Sequence, residues 1–308
     1  MNSLAVQRRR FLQTAVGAWA SGGIASIGLG QVRPPEPGTV RDKLWTFCNP
    51  VNADYRMVRR RTVMSPFESA VYLGVSNIIM TNQYPQAGEE GWYKAWSTPF
   101  EQYAFPLQML KRVVWSIVGD SGMTFEPERK EVMAMAQATP NIVGVYMDDF
   151  FREEKDAKMA SLTLDQLRDI RRQLAGASKK LELYVTLYTH QLDRPIGEYL
   201  ALCDVISLAT WQTTDLDNIE SNLAKLERIA PRSRVLLSCY TAEYDAKRTP
   251  QWTAMPVPQM QHQCEVALRW LRQGRIDGIC IYGNFLDFDW ECMRWVRQWI
   301  ADVAETKL

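Results

Sequence analysis

One short apolar run ends on two adjacent carboxylates: Ile142-Val143-Gly144-Val145-Tyr146-Met147-Asp148-Asp149. A run of this length with branched and aromatic side chains is typical of a buried parallel strand. Because side chains alternate in direction along a strand, Gly144, Tyr146 and Asp148 share one face. The other face is entirely apolar and is expected to pack against helices: Val143, Val145 and Met147. The pattern therefore predicts Asp148 at the end of the strand, with Asp149 beside it on the loop.

Seven further runs of the same kind recur along the chain, separated by helical or loop segments. They are Leu44–Cys48, Asn77–Thr81, Val113–Val118, Leu183–Tyr188, Val205–Ala209, Val235–Tyr240 and Gly278–Tyr282. Eight strands alternating with helices predict an α/β fold, a single (β/α)8 TIM barrel over residues 41–308. A doubly wound open sheet is the alternative. It is disfavoured because no Gly-x-Gly-x-x-Gly motif follows the first run, and because eight strands are many for one open sheet.

The helices between the strands carry start and stop signals. Thr163 and Gln166 form a capping-box pattern that opens a helix ending near Gly176. Periodic apolar residues predict three more helices, over 218–229, 260–271 and 290–303, and Asp289 is expected to cap the last one. Residues 54–73 predict one helix or two short ones, and residues 83–105 resemble a long loop.

The first thirty residues have the layout of a secretory signal. Arg8-Arg9-Arg10 precedes Phe11-Leu12 and a Gly/Ala-rich apolar stretch, and no acidic residue occurs before Glu36. Paired arginines before Phe-Leu resemble a twin-arginine (Tat) signal, which a receptor reads. Five glycines interrupt the apolar part, which disfavours a stable membrane anchor. We therefore expect a cleaved signal over residues 1–30, the Tat machinery as export partner, and a periplasmic or extracellular location.

Charge and composition exclude several classes of function. The chain carries a net charge of +1, and loss of the three leader arginines lowers it to −2. A near-neutral domain has no cationic surplus to displace counterions, so we expect no nucleic-acid partner. The Pro/Gly-rich residues 31–40 predict a short tether before the barrel.

Cysteine and histidine usage argues against metal and cofactor chemistry. The six cysteines form no C-x-x-C pair and lie mostly in apolar segments, which predicts buried free thiols. Only His190 and His262 are present, so a centre built from three imidazoles is excluded. We therefore expect no bound metal and no cofactor.

Candidate catalytic residues follow the strands, because the carboxyl ends of barrel strands converge on one mouth. Carboxylates held close together repel, which raises one pKa and places a proton donor beside an ionised partner, as expected for Asp148 and Asp149. Glu243 follows the seventh strand, nearly across the barrel, and could supply the second carboxylate at a glycosidic bond. Structural alternatives remain open: Asp149 caps its loop, Asp148 bonds a neighbouring strand end, and Glu243 pairs with Lys247 or Arg248.

The same mouth predicts a carbohydrate-binding surface. Aromatic rings stack on the flat apolar faces of sugars, and amides bind their hydroxyl groups. The predicted substrate-binding residues are Asn49, Asn82, Asp120, Tyr188, His190, Trp211, Tyr240, Tyr282 and Asn284. The aromatic loop Gly91–Trp96 is expected to contribute as well. Ordinary loop packing is the alternative for several of these residues, and Asp120 could simply form a turn.

The motif Gly144-Val145-Tyr146-Met147-Asp148-Asp149 resembles the fourth strand of several families of secreted (β/α)8 glycoside hydrolases, and the acidic Glu243 adds to the likeness. In those families a fourth-strand carboxylate carries catalysis, so the resemblance implies Asp148 as the first candidate. The chain has neither the Asn-Glu pair nor the D-x-x-D-x-D-x-E run of two such groups. The resemblance implies an exported glycosidase-like hydrolase with a carbohydrate substrate. The alternative is a non-catalytic carbohydrate-binding barrel, a pseudoenzyme.

Overall fold

The computed structural model describes residues 38–51, 54–55, 60–82, 100–152, 158–245, 247 and 251–308. The predicted signal over 1–30, most of the predicted tether and the aromatic loop Gly91–Trp96 lie outside these residues. Within the described part of the chain, no helix combines the length and the apolar character needed to cross a bilayer.

Eight parallel strands close into a barrel in which each strand pairs with its neighbours in the sequence and the last pairs with the first. The strands β1 to β8 are Leu44–Cys48, Asn77–Met80, Arg112–Val118, Ile142–Met147, Glu182–Tyr188, Val205–Ala209, Arg234–Cys239 and Gly278–Tyr282. A helix follows every strand. The predicted (β/α)8 TIM barrel is therefore confirmed.

The strand bounds agree closely with the predicted ones, and three of the differences share a cause. β3, β5 and β7 begin one residue earlier than predicted, on Arg112, Glu182 and Arg234. A search for apolar runs misses these residues because their side chains are charged. They lie where the strands begin, at the end of the barrel that we call the lower mouth. There Arg234 pairs with Glu182 at 2.6 Å and with Asp277 at 3.1 Å, and the Arg112 guanidinium lies 4.6 Å from the Trp45 ring centre. Both arginines therefore contact residues of neighbouring segments at the lower mouth.

The helices α1 to α9 are Val40–Lys43, Pro66–Leu73, Phe100–Leu107, Glu126–Ala138, Leu164–Ala175, Gly197–Leu200, Ile219–Ile229, Val257–Arg272 and Glu291–Val303. The predicted capping box at α5 is present, since the Gln166 amide donates to Thr163 Oγ1 at 3.2 Å. The predicted cap of α9 is wrong: Trp290 holds that position. Asp289 instead adopts a left-handed backbone with φ of 54° and pairs with Arg294 at 2.8 Å.

Residues 54–73 differ from prediction in their first half. Asp54–Tyr55 and Arg60–Arg61 form a small antiparallel pair rather than a helix. Among the described residues of this segment, only α2 is helical, and it begins at Pro66 because Ser65 and Glu68 form a capping box there.

The barrel interior holds a core of its own, separate from the one between strands and helices. Tyr146 lies in the inner core, whereas Val145 and Met147 pack outward as predicted. Val143 packs against the inner core, contrary to prediction. The register between β3 and β4 shifts at this point, since Ile142 pairs with Val113 and the next paired residue is already Gly144.

Gly144 is required by the close approach of β5. A Cβ atom at this position would lie 2.4 Å from the carbonyl oxygen of Glu182 and 2.9 Å from the Tyr184 ring. The absence of a side chain therefore sets the spacing of the strand that carries Asp148.

Candidate active site

Asp148 lies directly after β4 at the upper mouth and is 7% exposed. Its backbone N–H donates to the Val118 carbonyl at 2.9 Å, which continues the pairing with β3. Thr186 Oγ1 on β5 donates to Asp148 Oδ1 at 2.9 Å. Burial, and then the negative charges of Asp149 and Asp120, raise the pKa of the Asp148 carboxyl well above its usual range. The site therefore favours a neutral carboxylic acid at this position.

Asp149 occupies a different environment one residue further on. Its backbone is left-handed with φ of 43°, a conformation that is costly for residues other than glycine. The Ser121 amide donates to Asp149 Oδ2 at 2.9 Å, and the Tyr188 hydroxyl donates to Oδ1. Donors to both oxygens stabilise the ionised form of a carboxylate. The two neighbouring aspartates thus lie in different hydrogen-bonding environments.

Asp120 completes the acidic group. It begins a 3-10 turn, Asp120–Gly122, directly after β3, and its amide donates to the Asn82 carbonyl at 2.9 Å. The turn packs tightly on Asp149, because a Cβ atom on Gly122 would lie 2.6 Å from the Asp149 carbonyl oxygen. Arg152 Nη1 donates to the Ser121 carbonyl at 2.6 Å, which places a cation beside the same turn.

Glu243 does not follow β7 directly but lies in a small hairpin of Ala242–Tyr244 with Trp252–Ala254. Thr213 Oγ1 donates to Glu243 Oε1 at 2.6 Å. Among the described residues, neither an ion pair with Lys247 nor a bond to Asp148 or Asp149 is present at Glu243; Arg248 lies outside them. The structure therefore joins the two aspartates but does not bring Glu243 into contact with them.

Aromatic rings extend from the aspartate pair across β5 to β8, and we call this set the aromatic wall. It consists of Tyr188, His190, Trp211, Tyr240, Tyr244, Trp252 and Tyr282. Tyr188 lies 4.3 Å from Trp211 between ring centres, and Tyr240 stacks on Tyr282 at 4.4 Å. His190 is exposed and Trp211 is half-buried, so solvent reaches this part of the wall.

Negative charge from the aspartates reaches the wall. Burial and the charge of Asp149 raise the pKa of the Tyr188 phenol well above its usual range, which keeps it a hydrogen-bond donor. Burial likewise raises the pKa of the Tyr240 and Tyr282 phenols, and the charge of Asp149 adds to both shifts. The carboxylates therefore influence the protonation of the tyrosines in the aromatic wall.

The predicted amide ligands lie at the rim but bond to protein atoms. The Asn49 backbone N–H donates to Asn284 Oδ1 at 2.9 Å, and the Asn284 side-chain Nδ2 donates back to Asn49 Oδ1. Trp115 Nε1 donates to Asn82 Oδ1 at 3.0 Å. These contacts join neighbouring strand ends, and a role in binding sugar hydroxyls stays a prediction for all three.

Sequence reasoning missed several residues that shape the site. Thr186, Ser121 and Thr213 each bond a predicted catalytic carboxylate. Strand alternation places Thr186 on the inner face with Tyr188, so Thr186 could have been predicted from the sequence. The other two lie on turns, where no periodic pattern indicates side-chain direction.

Asp287, an acidic residue after β8, holds the chain before α2. Its carboxylate accepts from Thr62 Oγ1 at 3.1 Å and from the amides of Val63 and Met64 at 2.6 and 3.2 Å. It therefore secures one side of the upper mouth.

Comparison with known proteins supports the architecture. No protein-family model and no curated protein matches the chain. Among solved structures, a candidate α-L-fucosidase from Bacteroides thetaiotaomicron has a TM-score of 0.56 at 11% identity, covering 92% of this chain and 100% of its own. The catalytic domain of a Pyrococcus furiosus chitinase has a TM-score of 0.54 at 12% identity, covering 88% and 99%.

A third structure is active domain 2 of a Pyrococcus furiosus chitinase, in catalytic-site mutants complexed with chito-oligosaccharides. It has a TM-score of 0.52 at 14% identity and covers 80% of this chain and 85% of its own. At these identities the likeness shows a shared barrel fold.

Proposed function

We propose that this chain is an exported glycoside hydrolase that cleaves glycosidic bonds at the upper mouth of its barrel, with Asp148 as the proton donor. The observation that carries the proposal is the pair of adjacent carboxylates in opposite environments. Asp148 is buried and favours the neutral acid, whereas Asp149 accepts hydrogen bonds at both oxygens. Sites of acid catalysis separate two carboxyl groups in this way.

The chemistry assigned to each residue follows from its protonation state. Asp148 gives its proton to the glycosidic oxygen as the bond to the anomeric carbon breaks, so the leaving sugar departs as an alcohol. Asp149 remains ionised and stabilises the positive charge that develops on the sugar ring. Glu243 is the second carboxylate of the proposal. As a base it takes a proton from the water that attacks the anomeric carbon; as a nucleophile it forms a glycosyl ester with that carbon, which water then hydrolyses.

The aromatic wall supports a carbohydrate substrate. Trp211 and His190 combine ring surface with access to solvent, and both lie beside Tyr188, which bonds Asp149. A sugar stacked on Trp211 would lie next to the aspartate pair. Two of the similar structures also come from chitinases, one of them holding chito-oligosaccharides. The leader over residues 1–30 supports export by the twin-arginine route.

The decisive experiment measures turnover by the purified chain on a panel of aryl glycosides and oligosaccharides. Asp148→Asn is expected to lower kcat by about 100-fold or more, since general acid catalysis contributes factors of that order. Asp149→Asn and Glu243→Gln are expected to lower it as well. Asp302→Asn is the matched control, because this exposed α9 carboxylate bonds only Gln298 among described residues. Unchanged activity in Asp148→Asn contradicts the proposal.

A second candidate function is a non-catalytic carbohydrate-binding barrel. It is favoured by the position of Glu243, whose described hydrogen bond goes to Thr213 rather than toward the aspartates. Calorimetric titration with oligosaccharides separates the two functions. Binding that persists in Asp148→Asn, with no turnover by any variant, would support the binding protein.

A further inference from the structure

A chain of hydroxyl groups lies inside the barrel beneath Asp148. Thr186 Oγ1 on β5 is 2.9 Å from Asp148 Oδ1, and the Tyr146 hydroxyl on β4 is 2.6 Å from Thr186 Oγ1. Ser207 on β6 and Ser238 on β7 form a separate hydroxyl pair inside the barrel, with 2.6 Å between their Oγ atoms. The hydroxyl chain itself therefore joins β4 to β5 and ends on the proposed acid.

The direction of this chain follows from the number of protons. A hydroxyl carries one proton and therefore donates one hydrogen bond at a time. Since Thr186 donates to Asp148, its oxygen accepts from the Tyr146 hydroxyl. Each hydroxyl then donates towards the carboxyl group. Hydrogen bonds aligned in one direction polarise and strengthen one another.

Burial holds the hydroxyl chain in place. Tyr146 is 1% exposed and Thr186 4%, and the Tyr146 ring packs edge-on to Phe47 at 6.0 Å between ring centres. Water therefore has little access with which to replace these donors. A buried hydroxyl without a partner is costly, so the arrangement persists as a unit.

The titratable groups that face Asp148 come from every side of the upper mouth. They are Asp120 after β3, Asp149 on the adjacent loop, Tyr146 beneath it, Tyr188 on β5, Tyr240 directly after β7 and Tyr282 on β8. The two carboxylates favour protonation of Asp148. The hydroxyl chain treats its two oxygens differently, because Thr186 donates to Oδ1.

We propose that Thr186, held by Tyr146, is a positioning residue that keeps Asp148 Oδ1 as a hydrogen-bond acceptor, so that the acidic proton resides on Oδ2. This inference rests on the proposed function, in which Asp148 donates that proton to the glycosidic oxygen. A carboxylic acid whose proton can occupy either oxygen presents it correctly only part of the time. The hydroxyl chain removes this ambiguity before substrate binds, and such preorganisation is an established source of rate.

Infrared difference spectroscopy of the full chain tests the inference without any need for activity. The carbonyl band of protonated Asp148 is assigned by its loss in Asp148→Asn. In Thr186→Val the band is expected to move to higher frequency, because its oxygen loses the hydrogen bond from Thr186. Thr186→Ser retains the hydroxyl and is expected to restore the position. Tyr146→Phe is expected to move it in the same direction by less.

Thr46→Val is the matched control. Thr46 is a fully buried threonine on β1 whose hydroxyl bonds Cys48 Sγ at 3.7 Å and takes no part in the chain. An unmoved band in Thr186→Val, an equal movement in Thr46→Val, or no protonated Asp148 band at any pH overturns the inference. If Thr186→Val fails to fold, Tyr146→Phe and Thr186→Ser decide by the same criterion.

Kinetics give the second readout where glycosidase activity is found. Thr186 donates to the ionised carboxylate as well, so Thr186→Val is expected to raise the pKa of Asp148 by about one unit, a tenfold change in proton affinity. The alkaline limb of the pH profile then moves upward and kcat falls about tenfold, while KM changes little. A downward movement would show that Asp148 donates to Thr186, which overturns the assignment. Infrared shifts without turnover by any variant would retain the hydroxyl chain and reject the proposed function.

Discussion

The Tyr188 hydroxyl donates to Asp149 Oδ1, and this contact joins the aromatic wall to the aspartate pair. The same ring lies 4.3 Å from Trp211 and 5.7 Å from His190 between centres. One residue therefore bonds a carboxylate with its hydroxyl and packs its ring against two rings of the aromatic wall. Under the proposed function, this residue links the substrate-binding surface to the catalytic carboxylates.

Tyr188→Phe separates these two roles. The ring remains to support Trp211, but Asp149 loses a charge-assisted hydrogen bond, which is worth more than a neutral one. We expect kcat to fall about tenfold with little change in KM, measured by steady-state kinetics. Tyr72→Phe is the control, since Tyr72 lies on α2 beneath Arg297. A rise in KM at constant kcat would show that the hydroxyl serves binding instead.

Trp211→Ala tests the wall as a sugar platform. The half-buried indole is expected to contribute roughly 1–2 kcal/mol to substrate binding, so the dissociation constant should rise about 5- to 30-fold. Titration calorimetry with the oligosaccharide that binds most tightly measures the change. Trp295→Ala removes a tryptophan that stacks on Trp299 within α9, and it should leave binding unaltered. Equal losses in both variants would mean that the barrel rather than the wall was damaged.

The paired arginines predict the export route. Replacing Arg8 and Arg9 together by lysine keeps the charge but removes the guanidinium pair, so a twin-arginine receptor should no longer accept the leader. Residues 1–40 fused to a folded reporter are expected to deliver it to the periplasm only with the arginines intact. Equal export of the lysine version would indicate a general secretory signal.

The strands and their order were predictable because each buried barrel strand is marked by a short apolar run in its own segment of the sequence. β1, β4, β6 and β8 have the bounds that the apolar runs predict. The chain needs no distant contact to specify these segments, since branched and aromatic residues alone mark them. The capping box at Thr163 is equally local, involving residues three apart.

Features that depend on contacts between distant segments were not predictable. The skipped residue Val143 reflects the register of β4 against β3, which alternation within one strand cannot show. The antiparallel pair before α2 adjoins residues held by Asp287, more than two hundred positions away. Glu243 was expected just after the seventh strand, but it lies in a hairpin formed with residues 252–254, and Thr213 bonds it there.

The acid pair also predicts how stability depends on pH. The raised pKa of Asp148 means that the folded state binds this proton more tightly than the unfolded chain does. Its contribution to stability is therefore full below the ordinary aspartate pKa and is lost as pH rises through the raised value. Asparagine mimics the neutral acid, so Asp148→Asn is expected to be more stable than the natural chain by roughly 1–3 kcal/mol at high pH and about equal at low pH.

Chemical denaturation across a pH series measures this effect. Asp165→Asn, at an exposed position in the first turn of α5, should show no comparable gain. A loss of stability in Asp148→Asn that grows with pH would mean that the ionised carboxylate, not the acid, is the form that the site stabilises.

Gly144→Ala tests whether the spacing of β4 and β5 controls the site. The added Cβ would lie 2.4 Å from the Glu182 carbonyl oxygen, a backbone atom that cannot rotate away. We expect the free energy of unfolding to fall by about 2–4 kcal/mol. We also expect the hydroxyl chain between Tyr146 and Asp148 to lengthen as β4 shifts.

Gly197→Ala is the matched control, because no atom lies within 4 Å of a Cβ there and the position is helical. That variant should be neutral or slightly more stable. Equal stability of the two variants would show that β5 can move away from the added Cβ at little cost. The spacing of the two strands would then not hold Asp148 in place.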